Sequence, residues 1–328
     1  MRKKAIRADF INFLLVCSSF FISFFILEIF FRILPASDYF PISKPVICKD
    51  NNDLDISCFR RRRKKITGRY IKGKIKPFPI DAYKVTNDLG QFSDIDFNEF
   101  KELDSGKIKI ISIGDSYVES FQLPNNKTFH GILNNKKINN EEKVFEIIST
   151  GFGSSGLAFP NYLKTFEFLT KKENYKNDFV IFTISAGDFD ESFFSNKSSE
   201  RGMFFFEKFG NNIYFEEYLN PLNVKLRTFF IKNSALSRYL IFNIELLNIF
   251  ERYPICKIYS SCGRQQYNTK NFLDNNKTEI GYKATKLFLK NLNNYVPNIL
   301  NRKKIIFLVD SNRVAIFEGT KEKNPYLK

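Results

Sequence analysis

A serine hydroxyl attacks a carbonyl only when one group takes its proton and others stabilise the oxyanion that forms. The stretch Lys107–Ser120, KIKIISIGDSYVES, puts a serine where that chemistry can be built. Lys107 to Ile113 alternates and then runs apolar, with Ile at 108, 110, 111 and 113, and so reads as a strand buried in a sheet. Gly114 breaks the run and Asp115-Ser116 follow, which sets the Ser116 hydroxyl at the carboxyl end of a strand, where open α/β sheets form their sites. The same order also fits a plain strand–turn–helix in which Asp115 or Ser116 only caps the helix.

Further elements must position that serine. Thr128–Leu133 fits a helix packed on the sheet, and Val144–Ile148 reads as a second strand. The second strand leads into the Gly- and Ser-rich Ser149–Leu157 and an amphipathic helix through about Leu169. Asp178–Ser185 is a third strand ending in Ala186-Gly-Asp-Phe-Asp190, and Lys303–Val309 a fourth ending at Asp310. Strands alternating with helices predict an α/β fold with a parallel sheet. An insertion over about 192–300 separates the third and fourth strands. Its Phe-rich Phe204–Tyr218 reads as core before acyl pocket or lipid-docking surface, and Val224–Phe250 and Thr278–Leu300 read as helices.

Ile113-Gly-Asp-Ser-Tyr-Val-Glu-Ser-Phe121 resembles the first block of the SGNH (GDSL-type) hydrolase family. Thr86-Asn-Asp-Leu-Gly-Gln-Phe-Ser-Asp94 is similar to the Asn…Gly-Phe…Asp segment that membrane-anchored bacterial members carry before their first strand. The resemblance covers roughly residues 80–310. It implies an SGNH-like three-layer α/β/α sandwich with Ser116 as nucleophile. In the family the Ser backbone, a Gly of the second block and an Asn of the third form the oxyanion hole, and a C-terminal Asp-x-x-His supplies acid and base. Ser149–Gly156 aligns without gaps to the second block and places the oxyanion position on Ser154, flanked by Gly153 and Gly156. The third block departs: Ala186-Gly187-Asp188 or Gly187-Asp188-Phe189 stands there, with no Asn in either register. Gly187 and Asp188 are therefore the candidates for that donor, although a carboxylate repels an oxyanion unless protonated.

The base is the largest departure. The one histidine, His130, follows Ser116 by 130 − 116 = 14 residues, on a helix that in the family packs away from the site. Asp310 to Lys328 holds no Asp-x-x-His, so the chain reads as cut short or as having lost its base. An Asp substitute with a pKa near ~4 is a poor base for a serine. The resemblance thus implies an ester hydrolase acting on O-acyl groups of envelope saccharides or lipids, weak or inactive as the chain stands. The alternative is a non-catalytic envelope-binding or scaffold protein, or an O-acyltransferase component. No cofactor or metal is expected.

The N-terminus sets an expected location. Arg2, Lys3, Lys4 and Arg7 precede the apolar run Phe10–Leu34, whose only charges are Glu28 and Arg32. About 20 apolar residues span a bilayer, so the run reads as an uncleaved single-pass anchor. The excess of basic residues before it places the N-terminus in the cytoplasm and the rest outside, periplasmic in a bacterium with an outer membrane. The 51 basic against 35 acidic residues give a net charge of +16, which suits anionic lipid or acidic saccharide. Nucleic acid is not an expected partner, because no RNP, zinc-finger or P-loop pattern is present.

The expected plan is a tip and anchor (1–35), a membrane-proximal segment of loops and short strands (36–104), and a C-terminally incomplete α/β domain (105–328). The basic run Arg60–Lys65 reads as a solvated face, with phosphate contact as the other reading. Of five cysteines, Cys17 lies in the span, and Cys48/Cys58 and Cys256/Cys262 are expected to form two short disulfide loops.

Overall fold

The computed structural model describes residues 2–34, 36–40, 58–59, 61–73, 79–103, 106–134, 136–140, 143–172, 178–193, 202–207, 210–216, 222–244, 246, 275–295 and 304–310. In chain order their elements are α1 (Arg2–Ile33), β1 (Thr67–Lys72), β2 (Ile80–Val85), α2 (Phe97–Glu102), β3 (Lys107–Gly114), α3 (Ser116–Glu119), α4 (Phe129–Leu133), β4 (Lys137–Asn140) and β5 (Lys143–Gly153). Then follow α5 (Phe159–Glu167), β6 (Phe179–Ile184), α6 (Gly187–Glu191), β7 (Met203–Phe206), β8 (Ile213–Glu216), α7 (Leu222–Asn233), α8 (Ala235–Arg238), α9 (Asn275–Tyr295) and β9 (Ile305–Val309). The chain forms two compact units from interleaved stretches. One comprises Met1–Tyr39, Arg69–Asp81 and Leu222–Arg264; the other comprises Phe40–Gly68, Ala82–Pro221 and Gln265–Lys328.

The larger unit is a mixed α/β structure on a mostly parallel sheet of order β4-β5-β3-β6-β9. β3 pairs parallel with β5 on one side and β6 on the other, and β9 continues parallel beyond β6. β4 returns antiparallel along β5 as an edge. Alternation along β3 sends its isoleucines to both faces. Ile111 and Ile113 join a core with Phe97, Phe100, Leu163, Phe166, Phe182 and Phe288. Ile110 packs on the opposite face with Ile147 and Ile181, against Phe129 and Leu133 of α4. α9 belongs to the first of these faces: Phe288 stacks on Phe159 (centroids 4.7 Å) and meets Phe182 edge-on (5.3 Å). Of the Phe-rich stretch, Phe204–Phe206 are buried as core, while Tyr214 is 39% exposed.

Three elements differ from the sequence reading. The second strand runs Lys143–Gly153, not Val144–Ile148, and takes in the first part of the Gly- and Ser-rich stretch that follows. The missing Cβ atoms explain the extension: a Cβ on Gly153 would lie 2.5 Å from the Glu119 nitrogen and 2.8 Å from the Asp115 carbonyl, so only glycine lets β5 run beside α3. The helix expected over Val224–Phe250 breaks at Ser234, whose extended backbone (φ −119°, ψ 122°) and hydroxyl cap α8. The β4 edge carries the polar sequence Lys-Ile-Asn-Asn and was not expected as a strand.

In the smaller unit, Phe10–Ile33 of α1 is a largely apolar run of 24 residues with a mean hydropathy of 2.4. At ~1.5 Å per residue that helix is long enough to cross a membrane. Glu28 pairs with Arg32 (3.0 Å) and also accepts from the Ser234 hydroxyl (2.8 Å) and the Ala235 and Leu236 N–H groups (2.9 and 3.1 Å), so one carboxylate of α1 satisfies the start of α8. Phe31 packs against Tyr239 with centroids 4.5 Å apart.

Candidate functional site

β3 is the strand at which the sheet's order reverses, with β5 on one side and β6 on the other, and Ser116 is the first residue of the helix that leaves it. Open α/β sheets bind ligands at such a switch point, outside the carboxyl ends of the strands. Gly114 permits the tight exit: a Cβ there would meet Val118 at 2.6 Å and the Thr183 carbonyl of β6 at 3.1 Å. Asp115 is the helix cap, its Oδ1 accepting from the Tyr117 N–H at 2.9 Å. Ser116 is half-buried. One turn later Ser120 ends the helix in the left-handed conformation (φ 43°), its hydroxyl donating to the Tyr117 carbonyl. The serine thus sits on a turn fixed at both ends.

The upstream segment Thr86–Asp94 supports the second block from the side. Asn87 Oδ1 accepts from the Leu89 and Gln91 N–H groups (3.0 Å each) and folds the segment into a compact turn. That turn presents Gln91, whose Oε1 accepts from the Gly153 N–H at 3.2 Å. The Gly153 donor, a candidate for the oxyanion hole, is therefore engaged by a side chain. Ser154 is buried, and its carbonyl accepts from Leu157 N–H at 3.2 Å. A pocket of about 20 Å³, room for one water, lies beside Gln91 and Gly153, under Phe59, Phe152, Leu157 and Asn161.

The third block occupies the end of β6. Asp188 is buried, and its oxygens accept from Ser185 N–H (2.8 Å), Ser185 Oγ (2.9 Å) and Tyr162 Oη (2.9 Å). Its own N–H donates to the Ser185 carbonyl at 3.1 Å. Gly187 opens α6 and is half-buried. Burial, and then the nearby negative charge of Asp115, push the Asp188 carboxyl well above the usual carboxylate range, while its three donors oppose that rise. The same surroundings hold the Tyr162 phenol well above its ordinary value, burial first and Asp188 next. The first and third blocks are thereby electrostatically coupled at the ends of neighbouring strands.

His130 packs against β5. A Cβ on Gly151 would meet its ring at 2.7 Å, so the imidazole fills the space that glycine leaves. Burial, with the positive charge of Lys84 adding to it, pushes its pKa down to about 4, which leaves a neutral ring at neutral pH.

Sequence reasoning missed Glu119 and Arg62. Glu119, inside the serine block, is buried; its Oε1 accepts from Arg62 Nη2 (2.8 Å) and Nε (3.2 Å), and its Oε2 from the Ser155 N–H (2.9 Å). Arg62 also donates to the Phe40 carbonyl (3.1 Å) and lies over the Phe121 ring at 5.0 Å. The middle of the basic run is thus built into the fold, tying the first and second blocks together, while Lys65 forms an exposed pair with Asp96 (2.8 Å). Lys84 is fully buried with its Nζ 4.8 Å from the Phe92 ring, and burial pushes its pKa down to about 8.

Cys58 is buried and disulfide-bonded, with its partner beyond the described residues; the expected pair Cys256/Cys262 also lies outside them. Among the described residues no group of three or more His, Cys, Asp or Glu side chains is placed to hold a metal. No protein-family model, curated protein or solved structure matches the chain.

Proposed function

We propose that the chain is a membrane-anchored, SGNH-like ester hydrolase of weak turnover, with Ser116 as nucleophile. One observation carries the reading: Ser116 starts a one-turn helix at the switch point of a mostly parallel sheet, with Gly153 of the neighbouring strand against the Asp115 carbonyl. Packing on both sheet faces agrees with the three-layer sandwich that the sequence resemblance implies. The same resemblance supplies the substrate class, O-acyl groups on envelope saccharides or lipids. The charge asymmetry about α1 supports a reading in which the α/β unit lies outside the cytoplasm.

Weak turnover follows from the base. The His130 imidazole is packed on Gly151, its pKa of about 4 makes it a weak proton acceptor, and the Gly153 N–H is held by Gln91. In serine proteases, oxyanion contacts and binding alone retain ~10³–10⁴-fold over water once the triad is lost. The engaged Gly153 N–H and the caged Asp188 also favour a second reading, a non-catalytic envelope-binding protein or acyltransferase component that uses the same strand ends.

The test is hydrolysis of a short-chain aryl ester by the purified chain in detergent, compared with Ser116→Ala. The hydrolase reading expects a slow rate that disappears in the variant. Equal rates in the two would discard it in favour of the second reading. Fast, Ser116-dependent turnover would require a base other than His130.

A further inference from the structure

The smaller unit carries an apolar surface with no role in the site above. On α7, Leu226, Phe229 and Phe230 are 51, 61 and 50% exposed. Their i, i+3, i+4 spacing puts all three on one helix face, while Ile231 faces the opposite way and is buried. Lys225 and Lys232 flank the apolar face on one side and Arg227 on the other, and the helix contains no acidic residue. An apolar stripe between basic margins is the pattern of a helix that lies in a lipid interface.

The position of α7 names its partner. Its last residue, Asn233, offers its carbonyl to the Arg32 guanidinium (3.5 Å), and the next, Ser234, donates to Glu28. Both anchor points belong to the final two turns of α1, where a spanning helix reaches the headgroups. Arg238 secures the same end from the other side by donating to the Ile231 and Lys232 carbonyls (3.3 Å each). The carboxyl end of α7 therefore lies at the level at which α1 leaves the bilayer.

We propose that α7 is a second membrane contact, an interfacial helix. It sinks Leu226, Phe229 and Phe230 into the headgroup–acyl boundary of the leaflet in which α1 ends. Lys225, Arg227 and Lys232 meet anionic phospholipid headgroups. The proposal rests on α1 spanning the membrane.

The chain has no tryptophan, so one introduced indole reports on its own surroundings. The full chain carrying Phe229→Trp, and a reference carrying Phe20→Trp in the middle of α1, are reconstituted in vesicles of zwitterionic and anionic phospholipid. Quenching by iodide in water is compared with quenching by lipids brominated near the headgroup or deep in the chain. The Phe229→Trp probe should be several-fold less quenched by iodide than a water-exposed indole, and quenched most by the shallow-brominated lipid. The Phe20→Trp probe should respond to the deep one. Adding Lys225→Gln, Arg227→Gln and Lys232→Gln should remove the dependence on anionic lipid and leave the Phe20→Trp signal unchanged. Full iodide access at position 229 with position 20 protected would overturn the proposal alone. Protection at position 229 from iodide and from both lipids would also overturn it, showing a protein surface or a second copy on this face. Iodide access at position 20 would overturn the spanning reading and the proposal with it.

Discussion

Glu119 and Asp188 are buried carboxylates just past the ends of adjacent strands, β3 and β6, and the protein satisfies them in opposite ways. Glu119 meets a charge, the Arg62 guanidinium delivered from 57 positions away, with one backbone N–H. Asp188 meets only dipoles, from Ser185 and Tyr162 close at hand, with the negative Asp115 nearby. An ion pair fixes distant segments but depends wholly on its partner. A cage of neutral donors brings no charge, and it does not offset the burial and the Asp115 charge that incline the acid to hold its proton.

The sharpest way to break the contrast is Arg62→Leu. It strands the Glu119 carboxylate, which should cost about 3–5 kcal/mol in denaturant unfolding of the chain in detergent, and adding Glu119→Leu should recover most of that. A loss below ~1 kcal/mol would mean that the pair does not hold the two blocks together. Asp188→Ala comes next. Three donors lose their acceptor at once, for about 2–4 kcal/mol by the same measurement.

Asp188 also carries a pH signature. Its folded pKa is raised, so between its ordinary value of 3.8 and the raised one the native state binds more protons than the unfolded state. Its contribution to stability therefore falls as pH rises through that window, and Asp188→Asn should remove this fall. Lys84 has the opposite sign. Its folded pKa of about 8 lies below the ordinary 10.5, so over that range the unfolded state binds more protons and stability rises with pH. The slope is at most ~1.4 kcal/mol per pH unit, and Lys84→Met should flatten it; an unchanged slope would mean that Lys84 is solvated. The smallest effect is expected where a pair stands in water. Arg69 and Asp81, 46 and 34% exposed, should lose less than ~1 kcal/mol on Arg69→Ala.

The strands bearing the blocks were legible because local pattern and burial agree: β3, β6 and β9 are short apolar runs bounded by glycine or aspartate. β5 was legible only in its first half. Its second half is Gly-rich, and the reason for the glycines is a helix from another part of the chain, which no local pattern records. Ser116 could be read from Gly-Asp-Ser at a strand end. The Arg62–Glu119 pair could not, since a basic run looks solvated until its partner is known. The signal that existed was Glu119 itself, an acid in the middle of a motif whose neighbours Val118 and Gly153 are packed. Ser234 was a cap hidden inside a helical period, and its acceptor, Glu28, is 206 positions earlier.

That last separation has a consequence for the order of events during synthesis. Glu28 leaves the ribosome with Arg32 only four residues behind it. At ~5–20 residues per second, the backbone that completes its hydrogen bonding arrives about 10–40 s later. For that interval the carboxylate has a single native partner on its own helix, and the α1 register that Glu28 and Arg32 share is set before α8 exists. The start of α8 is then recruited to a fixed acceptor, so the earlier helix acts as the template on which a later segment begins to coil.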